Sequence, residues 1–122
     1  MNISVIFNSE NEVDVNDVDG NSINIKMEAN TQIRNNREIF KASPNAKFNQ
    51  TGKIIVYENN IEKQSIDYSI DISSDESKWY QLNGLADTYV FQVKLQNIND
   101  QLTLSKIAVQ KLLGRKNRLL NI

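Results

Sequence analysis

The stretch "TYVFQVKLQNINDQLTLSKIAVQKL", Thr88 to Leu112, decides the fold class, because its apolar residues alternate with polar ones on both sides of a polar centre. Period-2 alternation is the pattern of a strand with one buried face. A hairpin closed by Gln96 and Gln101 opposes Leu95 to Leu102 and Val93 to Leu104, but the next apolar residues are Ile107 and Val109, one place out of phase. One extra residue near Ser105 and Lys106 restores the phase, after which Phe91 faces Ile107 and Tyr89 faces Val109. The slip therefore predicts a β-bulge.

The same alternation extends outward along the chain. In "SIDYSIDI", Ile66, Tyr68, Ile70 and Ile72 define a core face, and Asp67, Ser69 and Asp71 define a wet one. Upstream, "GKIIVYENNIEKQ" reads as a strand ending in a turn at Asn59-Asn60. Its consecutive Ile54, Ile55 and Val56 predict burial on both faces, in the interior of a sheet. Residues 31–50 are less regular, with short strands expected around Ile33 and Ile39-Phe40 and Pro44 in a loop. "SSDESKWYQL" admits either a helical turn opening at Ser74, with Glu76 favouring its dipole, or a short strand over Trp79–Leu82. About eight short strands in one 122-residue domain predict an all-β, antiparallel β-sandwich, jelly-roll or Ig-like, over residues 1–113, followed by a C-terminal arm over 114–122.

The acidic run "DVNDVDGN", Asp14 to Asn21, is open to two readings, a calcium loop or a turn. A D-x-[DN]-x-[DN]-G loop ending at Asp19-Gly20 needs oxygen ligands where Val15 and Lys26 stand, so the turn is preferred. Apolar matching closes it as a three-residue loop, Asp19-Gly20-Asn21, with Val15 opposite Ile25, Val13 opposite Met27 and Asp14 opposite Lys26; Gly20 or Asn21 takes the left-handed position.

Composition narrows the chemistry. The chain has no cysteine and no histidine, which removes thiolate chemistry, disulfides and the commonest general base and transition-metal ligand. Its four glycines, at 20, 52, 84 and 114, are too dispersed to form a phosphate cradle. The carboxylates of the acidic run, and Asp67 with Asp71, fall at solvent-facing strand positions and not across a cleft. The expectation is a protein that is not an enzyme and has no cofactor. No run approaches the ~18 apolar residues of a membrane span. The opening "MNISVIFNSENEVDV" shows no signal-peptide pattern, so a cytoplasmic or virion location is expected.

The segment "KWYQLNGLADTYVFQVKLQNINDQLTLSKIAVQKL", Lys78 to Leu112, resembles the closing strands of jelly-roll sandwiches in phage virion proteins and carbohydrate-binding modules. In those families a tryptophan strand, a glycine, a long alternating strand and a final hairpin strand follow in that order. The resemblance implies a binding or assembly module in place of a catalyst.

Charge is asymmetric. Between Met1 and Glu28 lie Glu10, Glu12, Asp14, Asp17, Asp19 and Glu28 against Lys26 alone, whereas from Lys106 onward there are only bases, Lys106, Lys111, Arg115, Lys116 and Arg118. The tail also carries Leu119, Leu120 and Ile122, which favour docking over exposure, either on the chain's own sandwich or on a neighbour. The basic tail lacks interleaved aromatics, and nucleic acid is not an expected partner.

The leading expectation is a structural or assembly protein, a small phage virion component of capsid or tail. In this reading Arg115, Lys116, Arg118, Leu119, Leu120 and Ile122 meet an acidic edge containing Asp14 and Asp17 on another subunit. The alternative is a carbohydrate- or receptor-binding module that uses Trp79 or Tyr80, although Trp79 is preferred as a core residue. A third is an inhibitor or immunity-type protein binding through its acidic N-terminal hairpin.

Overall fold

The computed structural model describes residues 3–30, 49–99, 101–113 and 118–121, of which 113 and 118–121 are described by backbone alone. Among them are nine strands and no helix: β1 (Ile3–Ser9), β2 (Glu12–Asp17), β3 (Ser22–Ala29), β4 (Asn49–Glu58), β5 (Ile61–Asp71), β6 (Ser77–Gly84), β7 (Tyr89–Ile98), β8 (Gln101–Leu113) and β9 (Arg118–Asn121). They form two antiparallel sheets, β1-β2-β3-β4-β5 and β6-β7-β8-β9. The chain is thus the all-β antiparallel sandwich that the alternation predicts. The described strands run in sequence order within each sheet, whereas jelly-roll and Ig-like sheets interleave strands from distant parts of the chain. Each described strand's neighbours in the sheet are its neighbours in sequence, so the described strands form two meanders. The strands expected near Ile33 and Ile39 and the loop at Pro44 lie outside the described residues.

The core is built from every second residue of the facing strands: Val13 and Val15 from β2, Ile23 and Ile25 from β3, Ile54 and Val56 from β4, Tyr68 and Ile70 from β5, Leu82 from β6, Phe91, Val93 and Leu95 from β7, and Leu102 and Leu104 from β8. Ile55 is also buried but lies outside this cluster, in accord with the interior position expected for β4.

The expected bulge is present. Leu95 pairs with Leu104 and Lys94 with Lys106, which leaves Ser105 as the extra residue, its hydroxyl donating to the Lys94 carbonyl at 3.3 Å. The register is two residues from the expected one. Ile98 pairs with Gln101 and Asn97 with Leu102, so Phe91 faces Val109 and Tyr89 faces Lys111. The β2–β3 hairpin is displaced in the same way, with Val15 opposite Ile23, Val13 opposite Ile25 and Asp14 opposite Asn24. A slip of two preserves the buried face, which is why both faces are as expected although both loops differ. At Asn59-Asn60, φ values of 50° and 70° make the expected turn a left-handed pair, as a two-residue hairpin requires.

The crossover from β5 to β6 carries the chain from one sheet to the other without the helical turn considered at Ser74. Asp71 Oδ1 accepts from Ser73 N at 2.9 Å, and Glu76 Oε2 accepts from Asp71 N at 2.7 Å. Asn97, a fully buried polar residue on β7, donates from Nδ2 to the carbonyls of Ser74 (2.8 Å) and Ile72 (3.4 Å) and thereby fixes the corner to the sandwich. The β6–β7 loop holds Leu85, Ala86 and Asp87 at φ of 52°, 58° and 58°. Three consecutive left-handed non-glycine residues cost on the order of 1–2 kcal/mol each. The Glu58 carboxylate, accepting from Ala86 N at 3.2 Å, and the Lys63–Asp87 ion pair at 3.0 Å hold them in place.

Candidate interaction surface

The two sides of the sandwich differ. On one, β5 and β6 are stitched across the gap between the sheets: Ser69 N donates to Tyr80 Oη (3.2 Å), Lys78 Nζ donates to Ser69 O (2.9 Å), and Asn83 N donates to Gln64 Oε1 (3.1 Å). β5 also carries Glu62, Lys63, Asp67 and Asp71, the charges with which natural sheets block edge-to-edge pairing. The sheet orders then leave β1 and β9 as the edges of the opposite side. The Leu104 N to Glu10 O bond at 2.7 Å, between β8 and the β1–β2 turn, confirms that this end of the first sheet overlies the β8 end of the second.

β1 has no such protection. From Ile3 to Ser9 it contains no charge and no proline, and it pairs only with β2 among the described residues. Val5, Ile6 and Phe7 are 39%, 54% and 45% exposed. Their pairing sets their faces: Val5 is opposite Val15 and Phe7 opposite Val13, on the core side, whereas Ile6 is opposite Asp14, on the outer side. Ile3 packs against the core, but among the described residues the remaining apolar positions of this edge are left partly exposed on both faces. A one-residue bulge at Asn8 ends the regular stretch.

Asp14 and Asp17 of the N-terminal hairpin are engaged within it. Asp14 lies between two amides, Asn8 Nδ2 on Oδ2 and Asn24 Nδ2 on Oδ1, each at 2.8 Å, so a cross-strand ladder occupies its carboxylate. Asp17 organises the turn. Its Oδ1 accepts from Asp19 N and Asn21 N, both at 2.9 Å, its Oδ2 accepts from Asn21 Nδ2 at 3.0 Å, and Gly20 takes φ 85°. The Asn21 side-chain bond, with the opposing effect of burial offset by the backbone N–H groups of Asn21 and Asp19, holds the Asp17 carboxyl below its ordinary value. Three N–H donors on one carboxylate make an Asx-type turn, the alternative to the calcium loop.

The C-terminal residues pair in their own chain. The backbone of β9 adds to β8 with Leu112 opposite Leu119 and Lys111 opposite Leu120. The side chains of Arg118, Leu119 and Leu120, and all of Arg115, Lys116 and Ile122, lie outside the described residues.

Trp79 is not a core residue. β6 turns Leu82 into the core and packs Tyr80 against it, which by alternation sends Trp79 outward, 50% exposed, with Lys94 Nζ 6.0 Å from its ring centre. The Tyr80 hydroxyl is engaged with Ser69, so of the two candidate ligand aromatics only Trp79 offers an open ring face.

Beside Tyr80, the Tyr68 ring is buried and its hydroxyl has no hydrogen-bond partner among the described residues. Burial, with a smaller effect of Tyr80, pushes its phenol up to about 12. Because the folded state favours the neutral phenol, the associated stability is complete below the unfolded value of about 10 and is lost as pH rises from 10 to 12. In a 295 nm absorbance titration Tyr68 is expected to be the last of the four tyrosines to ionise, together with unfolding, after Tyr89, which burial also shifts upward. Tyr68→Phe removes both the late step and an unpaired hydroxyl and is expected to raise stability by about 1 kcal/mol in urea denaturation.

No family model matches the chain, and no curated protein and no solved structure is significantly similar to it.

Proposed function

We propose that the protein is a non-enzymatic structural subunit that acts through protein–protein contacts on the side of the sandwich bounded by β1 and β9. The observation that carries this reading is the uncharged β1 edge with Val5, Ile6 and Phe7 exposed, on a molecule whose opposite side is stitched and charged. Natural sheets leave an edge in this state where another chain covers it. The charged groups best placed in the sequence to act as an acid/base pair, Asp14 and its neighbours, are held in hydrogen bonds that build the hairpin. The resemblance of residues 78–112 to sandwiches of phage virion proteins extends the reading to a small virion component of capsid or tail. Size exclusion with light scattering across the micromolar range tests it: a defined oligomer is expected, and a monomer at every concentration and salt would remove self-assembly.

The exposed Trp79 favours a second reading, a glycan- or receptor-binding module. Stacking of a sugar on the indole face would change tryptophan fluorescence, and because Trp79 is the single tryptophan the signal is unambiguous. A flat titration against a panel of oligosaccharides would dismiss the glycan form of that reading.

A further inference from the structure

We propose that β1 pairs antiparallel with β1 of a second copy, about a two-fold axis normal to the sheet and passing midway between the two Ile6 residues, joining the two five-stranded sheets into one. This deepens the assembly reading above and depends on it.

The occupant follows from the strand itself. A two-fold at Ile6 sets Val5 of one copy opposite Phe7 of the other on the core side, Ile6 opposite Ile6 on the outer side, and Ser4 opposite Asn8 at the rim. From Ser4 to Asn8 every pair is then apolar with apolar or polar with polar. Centring on Val5 instead opposes Ser4 to Ile6, and centring on Phe7 opposes Ile6 to Asn8 and Val5 to Ser9. Only the Ile6 centre is matched across the exposed stretch. Because the strand carries no charge, facing itself places no like charges opposite one another, which β5, with its acids and lysine, does not allow. The axis is normal to the sheet, so core-side residues remain on the core side of the joined sheet, and the partner's strand supplies cross-strand neighbours to the exposed side chains on both faces of β1. A ligand docking on one face would cover only Ile6, or only Val5 and Phe7.

The acidic strands tolerate this arrangement. β2 and its mate are three strand spacings apart, about 14 Å, beyond the ~8 Å screening length at physiological ionic strength. Residual repulsion between the Glu12 and Asp14 pairs makes the dimer tighten, or hold unchanged, as salt rises. An oligomer made by the basic C-terminal segment on an acidic edge has the opposite salt dependence. The contact is small, and the dimer is expected to form reversibly at micromolar concentration.

The natural absence of cysteine makes the test direct. In the full chain, Ile6→Cys puts two thiols on the axis, within the 4.4–6.8 Å Cα separation that a disulfide accepts. Mild oxidation is expected to convert this variant to a covalent dimer at least tenfold faster than Ile98→Cys, a comparably exposed position on the β7–β8 hairpin. Ile6→Lys, with folding verified by circular dichroism, is expected to remain monomeric in light scattering where the unmodified chain is dimeric. An oligomer that survives Ile6→Lys and weakens with salt, together with no faster cross-linking of Ile6→Cys than of Ile98→Cys, overturns β1 pairing and leaves the assembly reading intact. A monomer in every run, with equal cross-linking at both positions, overturns both.

Discussion

Gly52→Ala is expected to abolish stable folding at ordinary temperature, the largest effect of any single-methyl addition to this chain. Gly52 pairs with Ala29 on one side and Tyr68 on the other. A Cβ at this position would overlap the Glu28 carbonyl oxygen and stand 2.5 Å from the Tyr68 hydroxyl and 2.6 Å from its ring. The first obstacle is backbone inside a ladder and cannot rotate away. The second is an aromatic ring laid over the glycine and packed in the core, a common way of covering a strand glycine. Overpacking of this kind costs about 1–3 kcal/mol when side chains can yield, and here the main chain must yield too, against a total stability of about 5–15 kcal/mol. Chemical denaturation of Gly52→Ala in the native and the Tyr68→Leu backgrounds separates the two. If the penalty disappears in the second background, the ring is the obstacle; persistence of most of it identifies the ladder. A Gly52→Ala protein as stable as the parent would contradict the close approach of β3 and β4 described above.

Deleting Ser105 is expected to be nearly as damaging, whereas substituting it is not. The bulge lets Leu102 and Leu104 on one side, and Ile107 and Val109 on the other, share one face of β8 although the two pairs are out of phase in sequence. Without the extra residue one pair must turn to solvent, because side chains alternate strictly along an unbroken strand. Leu102 and Leu104 are each 2% exposed, and removing two such leucines from the core costs roughly 3–6 kcal/mol. Ser105→Ala loses only the 3.3 Å bond to the Lys94 carbonyl and keeps the residue count, so its midpoint in urea should move by less than about 1 kcal/mol in equivalent stability. A deletion that melts like the parent would mean that the phase change is absorbed elsewhere.

The contrast between deletion and substitution also shows which parts of the fold are legible in the sequence. Parity is legible. Alternation alone assigns Val13, Val15, Ile25, Met27, Phe91, Val93 and Leu95 to the core, and the phase slip places the bulge near Ser105 and Lys106. Registers related by a shift of two are not distinguished by that signal, since Val15 meets an apolar residue whether it faces Ile23 or Ile25. The choice is made by groups that apolar matching ignores. Asp17 gathers the N–H groups of Asp19 and Asn21 and so fixes a wider loop. Asn97, polar in mid-strand, enters the core because its amide finds the carbonyls of Ile72 and Ser74, 25 and 23 residues away.

Trp79 illustrates a signal present but outweighed. Lys78 aside, β6 reads Trp79, Gln81, Asn83 on one face and Tyr80, Leu82, Gly84 on the other, and the second is the better core face even though the first holds the largest ring. The exposed edge was equally present in "ISVIFNS", where Ile3, Val5 and Phe7 alternate and Ile6 breaks the alternation. A strand apolar on both faces reads as interior until the topology places it at an edge, and topology is what residue alternation does not supply. The C-terminal segment was legible as something that docks, but neither its charge nor its leucines indicates that its backbone joins β8.

The meander order of both sheets bears on how the chain reaches this structure. Sandwiches of the Greek-key kind must bring together strands far apart in sequence before any sheet is complete, and their folding is slowed by the entropy of closing those loops. Among the described strands, each finds its partner in the strand just before it within its sheet. A nascent chain emerging from the ribosome can add hairpins in the order of their synthesis. If the sheets form in this order, the expected last step is their meeting through the short corner that Asn97 fastens. The refolding rate should therefore respond to substitutions at that corner more than to those in the hairpin turns.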